Sequence, residues 1–234
     1  MHCDSRGGHN RKSFNKNFFK IWTPSMAYVL GFIAADGALI DARKSSRTCY
    51  TTITINDKDL LEQIKAAMSS AHSIYSRYAH NTRFKEKTYF CKKSYTLRFG
   101  SKTLFQDLIN LGITPRKSLK IKFPPVPKQF FSFFLRGYFD GDGCISLSIL
   151  TGRKTPRLKT IFTCGSSIFL EEINRILHTQ INISYMKIYN NSGAFRLIYN
   201  KKDSFKVLKL MYRNLNHAPY LERKYKIFQK SLIT

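Results

Sequence analysis

The chain has 234 residues, with 40 Lys and Arg against 14 Asp and Glu, so its formal charge is +26 and its isoelectric point lies near 10.1. Hydrophobic residues make up 43%, enough to fill an ordinary core, which excludes a wholly disordered basic tail. The longest apolar stretch, 26–35, is too short to cross a bilayer, and the five scattered cysteines without a C-x-x-C support neither a disulfide framework nor a zinc ribbon. A length of this order suits one large domain or two small ones.

So large a positive charge calls for a polyanion, and phosphate backbones are the usual one, since each neutralised phosphate releases counterions. An anionic membrane fits less well, because the charge is not concentrated on one amphipathic helix. A structural nucleic-acid binder remains open on charge alone.

In chain order, residues 1–24 read as a flexible basic arm, with Arg6, Arg11, Lys12, Lys16 and Lys20 against Asp4. The arm is too polar to be a signal peptide. His2, Cys3 and His9 fit no zinc spacing. Thr23-Pro24 marks a helix start, Thr as N-cap and Pro at the first helical position. Residues 122–128, KFPPVPK, form a stiff connector. It divides the rest into halves 25–121 and 129–234.

The halves repeat. Residues 28–37 read YVLGFIAADG and residues 134–143 read FLRGYFDGDG, an offset of 142 − 36 = 106. Each is followed by two strand-like stretches (38–44 and 49–55; 144–150 and 158–164), an amphipathic helix (59–68; 168–177), two further strands (the second at 95–99; 195–199) and another helix (103–111; 204–212). Each half ends near an Arg-Lys pair, Arg116-Lys117 and Arg223-Lys224, at an offset of 224 − 117 = 107. The expected unit is therefore a duplicated αββαββα half-domain. Phe130, Phe131, Phe133 and Phe134 occur at helical density and read as core.

Strand parity sorts the sheet faces. Ile145, Leu147 and Ile149 alternate with Ser146 and Ser148. Met186 and Ile188 alternate with Tyr185, Lys187 and Tyr189. Phe195, Leu197 and Tyr199 alternate with Arg196, and Tyr95, Leu97 and Phe99 with Thr96 and Arg98. One face packs on helices and the other shows polar and basic side chains. The wet face reads either as plain solvated surface or as one able to meet base edges in a major groove. The net charge favours the second. The DNA-contacting set it yields is Lys44, Arg77, Arg98, Ser146, Ser148, Arg157, Lys159, Lys187, Tyr189 and Arg196.

Asp36, Asp140 and Asp142 lie at the ends of the two most apolar segments. Asp36 and Asp142 each precede a glycine that would close a helix in the left-handed conformation. A carboxylate at a helix C-terminus faces the negative end of the dipole, so two of them suggest a compensating cation such as a divalent metal. Gly31-x-x-x-Ala35 and Gly137-x-x-x-Gly141 put small residues one turn apart, which lets two helix backbones approach. If those helices pack on each other, the two Asp side chains emerge side by side. An oxygen-ligand Mg²⁺ could then sit beside a phosphodiester.

YVLGFIAADG and FLRGYFDGDG resemble the paired signature segments of a LAGLIDADG homing endonuclease in its single-chain, two-motif form. The resemblance spans residues 25–230. It implies an α+β fold of pseudo-twofold tandem αββαββα half-domains, whose two antiparallel sheets form a saddle over double-stranded DNA. It implies Mg²⁺-dependent cutting of both strands of a long site by a monomer. It places metal ligation on Asp36 and Asp142, with the neighbouring Ala35 and Gly141. It assigns Lys117 and Lys224 to phosphate charge or the attacking water, against a plain reading as solvated lysines. Asn56 and Gly165 occupy comparable places at the end of the second strand, where a polar side chain could order metal-bound water, although Asn56 reads more simply as the N-cap of a helix beginning at Asp57. Ala34 departs from the pattern where the second motif has Asp140, whose expected role is a structural hydrogen bond. The alternative functions are an RNA-binding intron maturase and a DNA-binding protein that has lost cleavage. Composition rich in Lys, Ile, Phe, Tyr and Asn suggests an AT-rich organellar or microbial genome and leaves the compartment open.

Overall fold

A computed structural model of the chain describes residues 12–148 and 156–233. Each half carries the expected αββαββα order. The first runs α1 (Pro24–Asp36), β1 (Gly37–Ala42), a one-turn α2 (Arg43–Ser46), β2 (Thr48–Ile55), α3 (Lys58–Ala67), β3 (Tyr75–Arg77), β4 (His80–Phe84), β5 (Lys87–Cys91), β6 (Ser94–Gly100) and α4 (Lys102–Asn110). The second runs α5 (Phe131–Asp142), β7 (Gly143–Ser148), β8 (Arg157–Cys164), α6 (Ser167–Ile181), β9 (Ile188–Asn191), β10 (Ala194–Tyr199), α7 (Lys201–Tyr212) and a terminal α8 (Glu222–Ile233). The two large sheets have the same order, β1-β2-β6-β3 and β7-β8-β10-β9, and are antiparallel throughout. Among the described residues no helix is long and apolar enough to cross a membrane.

The start of α1 follows its sequence signal. Thr23 is extended and its hydroxyl accepts the Met26 N–H at 3.0 Å, with Pro24 at the first position. From Met26 to Ala34 every residue of α1 is buried, as is every residue of α5 from Phe131 to Asp140. A helix apolar all round belongs inside a core. Here the two lie against each other at the centre of one continuous cluster, with a sheet of each half outside them.

Several expectations need correction. Gly37 and Gly143 are not left-handed: both are extended, at φ −78° and −88°. Glycine is needed there for space, because a Cβ on Gly37 would lie 2.7 Å from the Ile33 carbonyl oxygen and one on Gly143 would lie 2.1 Å from the Phe139 ring. Strand β1 stops at Ala42 rather than reaching Lys44, because Ser45 and Ser46 hydroxyls turn back onto the Ala42 carbonyl. Strand β9 begins only at Ile188: Met186 exchanges both backbone groups with the Asn174 side chain (2.7 and 3.2 Å) instead of pairing with β10. Of the stretch expected at 144–150, residues 149 and 150 lie outside the described residues.

The described part of the N-terminal arm is packed, not free. Phe18 and Phe19 are buried, Phe14 meets the His72 and Phe99 rings, and backbone bonds run from Ala71 to Ser13 and from Asn15 to Met68. Its aromatic residues outweigh its charges. His2, Cys3, Arg6, His9 and Arg11 lie outside the described residues. The proline-rich connector is likewise more than a spacer, since Phe123 packs against Phe131, Phe134 and Phe169.

Candidate metal centre and nucleic-acid interface

The two buried helices cross through their glycines. A Cβ on Gly31 would lie 2.1 Å from the Phe134 carbonyl oxygen, and one on Gly137 would lie 2.0 Å from that of Tyr28. The contacts obey the sequence offset, since 134 − 28 and 137 − 31 both equal 106. The crossing carries the C-terminal ends together. Gly141 meets Ala35, and a Cβ there would stand 3.3 Å from the Asp36 Oδ2.

Asp36 and Asp142 therefore share one mouth. Both side chains reach solvent, yet protein surrounds most of each carboxylate. Loss of hydration raises Asp142 to about 6, and the charge of Asp36 pushes in the same direction, against Lys117 and Lys224. Asp36 is raised by burial too, with Lys224 and Lys117 opposing. Among the described residues no group of three His, Cys, Asp or Glu side chains could hold a metal. A cation at this mouth would have two carboxylates, nearby carbonyls, water and substrate oxygens. That all-oxygen set suits a hard ion such as Mg²⁺ rather than zinc.

The two lysines lie under these helix ends. Lys117, in a 3₁₀ turn (Lys117–Leu119), donates to the Ala35 carbonyl at 3.3 Å and to that of Gly37. Lys224, on the first turn of α8, donates to Phe139, Asp140 and Gly143 carbonyls at 2.5, 3.0 and 2.6 Å. Both are buried, at 7% and 4% exposure, so neither is the solvated lysine of the plain reading. Burial lowers both, Lys224 to about 8. Part of the positive charge expected at the helix C-termini is thus supplied by the protein.

Asn56 is exposed and is not an N-cap. Helix α3 starts at Lys58, so Asp57 holds the cap position, and its carboxylate is taken by Arg223 at 3.1 Å rather than by the helix. Gly165 is a close-approach glycine: a Cβ there would lie 2.4 Å from the Ser118 carbonyl oxygen. These contacts join each half's loop to the other half's Arg-Lys segment.

Asp140 does make structural hydrogen bonds. Its Oδ2 accepts from the Tyr28 hydroxyl at 2.7 Å and from the Leu221 N–H at 2.8 Å. Burial raises it to about 6. Arg136, fully buried one turn earlier, donates to Met211, Asn214 and Ala218 carbonyls and lies over the Tyr28 ring. Sequence reasoning missed it because one Arg inside FLRGYF looks like an interruption. Asp140→Ala would strand the Tyr28 hydroxyl and the Leu221 N–H and remove the negative charge that faces buried Lys224 and Arg136. The expected loss is about 3 kcal/mol in urea unfolding, with a smaller loss for Asp140→Asn.

The strand registers gather most of the sequence-derived DNA set. In the second sheet Ser146 pairs with Lys159, Ser148 with Arg157, Arg196 with Thr163 and Tyr189 with Arg196, so these share one face. In the first sheet Arg98 faces Thr52 across the strands and its guanidinium lies 3.6 Å from the Tyr50 ring centroid, while Arg77 pairs with Ser94. Lys44 sits apart on α2, and Lys187 precedes β9 in irregular chain. Tyr50, Thr52, Thr54 and Thr96 share the first face and were not selected, although the alternation in CYTTITI marks the first three and that in YTLRF the last.

Comparison with solved structures decides the fold. The LAGLIDADG meganuclease I-AabMI bound to uncleaved DNA superposes with a TM-score of 0.54 at 15% identity, over 90% of this chain and 89% of that one. The fold is that of the LAGLIDADG homing endonucleases. I-WcaI bound to its DNA recognition sequence gives 0.53 at 17%, over 91% of each chain, and a mesophilic variant of I-DmoI gives 0.54 at 15%, over 92% and 99%. Residues 132–211 match a family model described as a LAGLIDADG-like domain, a stretch that includes all of α5 but its first residue and so Asp142. By sequence the chain is 26% identical over 183 residues to ribonucleoside-diphosphate reductase NrdEB subunit alpha of Bacillus subtilis (strain 168). It is 27% identical over 148 residues to DNA-directed RNA polymerase subunit Rpo1C of Methanocaldococcus jannaschii. These matches cover 74% and 63% of this chain and only 16% of each relative's length.

Proposed function

We propose that this LAGLIDADG fold is a site-specific, double-strand DNA endonuclease that acts as a monomer encoded within an intron and uses Mg²⁺. Its catalytic units are the half-domains 25–121 and 129–234, joined by 122–128. The observation that carries this reading is the meeting of Asp36 and Asp142 where the two motif helices end, between two sheets with basic outer faces. Asp36 and Asp142 would hold the ion, and the Gly141 and Ala35 carbonyls lie within the same helix ends. The Ala35 carbonyl is shared with Lys117. When bound, the cation supplies Lewis-acid stabilisation of phosphate charge and a water of lowered pKa.

The remaining work falls to the chain itself. Arg98, Arg157, Lys159 and Arg196 neutralise the phosphate backbone and fix the duplex against the faces. Lys117 and Lys224 act as positive charges beneath the carboxylates. All three N–H groups of Lys224 are engaged by carbonyls, so its effect on the phosphate comes through its field and through the helix end it holds.

A phosphate saddle predicts steep salt dependence. Affinity for a labelled duplex is expected to fall by at least about a thousandfold as salt rises from roughly 50 to 200 mM. A flat titration would count against the phosphate saddle itself, and preferential binding of intron RNA under the same conditions would favour the maturase instead.

A further inference from the structure

Lys224 holds the end of α5, and Lys224 is itself held from the other half. Residues 218–221 are irregular chain leading into α8. The carbonyl of Leu221, the last of them, accepts the Lys224 N–H at 3.0 Å and the Tyr225 N–H at 3.2 Å. Wherever this short segment goes, the first turn of α8 and the Lys224 side chain go with it. With no helix or strand of its own, it needs other partners for its backbone groups. Two lie in its own half: Arg136 donates to the Ala218 carbonyl at 2.9 Å, and the Leu221 N–H donates to Asp140.

The others come from the first half. Gln63, on α3, spans the backbone of Tyr220. Its Oε1 accepts the Tyr220 N–H at 3.1 Å and its Nε2 donates to the Tyr220 carbonyl at 3.3 Å. One amide thus satisfies both groups of one residue, as a neighbouring strand would. Asp57 makes no capping bond to α3, which leaves its carboxylate for Arg223, the residue beside Lys224. The Ser25 hydroxyl, at the start of α1, donates to the His217 carbonyl at 3.2 Å. An exposed ion pair such as Asp57–Arg223 adds little stability. What ties converging on 217–223 fix is position.

The repeat exposes an asymmetry. Helix α3 begins at Lys58 and α6 at Ser167, and the buried Leu60, Leu61 and Ile64 match Phe169, Leu170 and Ile173 at the same offset of 167 − 58 = 109. Gln63 therefore corresponds to Glu172. Glu172 does not reach across: Arg175 of its own helix donates to it at 2.9 Å. Among the described residues no side chain of the second half hydrogen-bonds to 113–116, the segment before Lys117. The approach there is the close backbone contact of Gly165 with Ser118.

We infer that Gln63 and Asp57 of the first half are positioning residues for the helix end that carries Asp142, acting through the first turn of α8 and Lys224. This rests on the endonuclease reading above. Lys224 donates to three carbonyls around Asp142, so a shift of 218–221 passes directly to that carboxylate. The Lys117 side has no such tie to the other half's first helix after the motif. The two strand cuts should therefore depend unequally on α3.

The test is single-turnover cleavage, each strand labelled, of a duplex first selected by cutting in Mg²⁺ from a randomised pool. The wild-type chain is compared with Gln63→Met, which keeps the stem and removes both amide bonds, with Asp57→Asn, which keeps shape and removes charge, and with the double variant. The double variant is expected to cut one strand about ten- to a hundredfold more slowly, the scale of a misplacement near 1 Å, and each single variant less so. The other strand, the duplex affinity and the urea midpoint should stay near their wild-type values. Wild-type rates on both strands would overturn the inference while leaving the endonuclease reading intact. Equal slowing of both strands, or slowing that tracks a lower urea midpoint, would overturn it too, as ordinary packing between the halves. A wild-type chain that cuts no duplex of the pool would remove the endonuclease reading, and the positioning role with it.

Discussion

Asp142→Asn is expected to end cleavage of a duplex carrying the target site while leaving binding intact. The substitution keeps shape and one oxygen but removes the charge that a hard cation needs from so sparse a donor set. Lewis-acid stabilisation worth several kcal/mol corresponds to about a thousandfold in rate. Folding should not suffer. The Asp36 charge already disfavours ionised Asp142, so the amide relieves a repulsion at the mouth of the crossing. Duplex affinity should hold or tighten slightly, because one negative charge leaves a surface facing phosphates. Asp36→Asn should behave alike, given the shared mouth. The measurement is single-turnover cleavage with each strand labelled, beside a gel-shift titration and a urea melt. Cutting at the wild-type rate by both variants would remove the paired carboxylates from the chemistry. Loss of binding or of stability along with cutting would recast them as structural.

The central crossing was legible because it repeats. Two largely apolar runs ending in Asp-Gly at one offset leave little freedom, and the contacts of Gly31 and Gly137 obey that offset residue by residue. Strand parity was equally readable wherever one face is buried, which is why Ser146, Arg157, Lys159, Arg196 and Arg98 emerged on the wet faces. The same rule explains what escaped. The β4–β5 ribbon is wet on both sides, so HNTRF and KTYFC carry no alternation to detect. The role of Gly37 was misread because its constraint is a clash with Ile33 rather than a backbone angle, and clashes are tertiary. Lys117 and Lys224 were found by position, but their carbonyl partners lie about 80 residues away in the chain and leave no local trace. Asp140 was read as structural without its partners, and Arg136 escaped altogether, for the same reason: the groups they hold, from Tyr28 to 211–221, are distant in the chain.

Gly31→Ala and Gly137→Ala should each destabilise the fold by about 4 kcal/mol, beyond the usual range for adding one methyl group to a core. On an isolated helix the same change would help by about 1 kcal/mol, since alanine loses less chain entropy than glycine. Geometry reverses the sign. A Cβ on Gly137 would meet the Tyr28 carbonyl oxygen at 2.0 Å and the Phe32 nitrogen at 3.0 Å, and one on Gly31 would meet Phe134 oxygen at 2.1 Å and Tyr138 nitrogen at 2.9 Å. All of these are backbone atoms, so no rotamer change makes room and the helices must separate by about 1 Å. Separation at that point loosens the core between the halves, stretches the 2.7 Å bond from Tyr28 to Asp140 and moves Asp36 away from Asp142. Cleavage should therefore fall by a further hundredfold or so even where enough folded protein survives to bind DNA. Gly112→Ala is the control. That residue has open space around it and φ +87°, so its cost is backbone strain alone, about 1 kcal/mol. Urea midpoints for the three variants separate the causes: unchanged midpoints for Gly31→Ala and Gly137→Ala would mean the helices do not cross at these glycines, and the shared mouth of Asp36 and Asp142 would go with them.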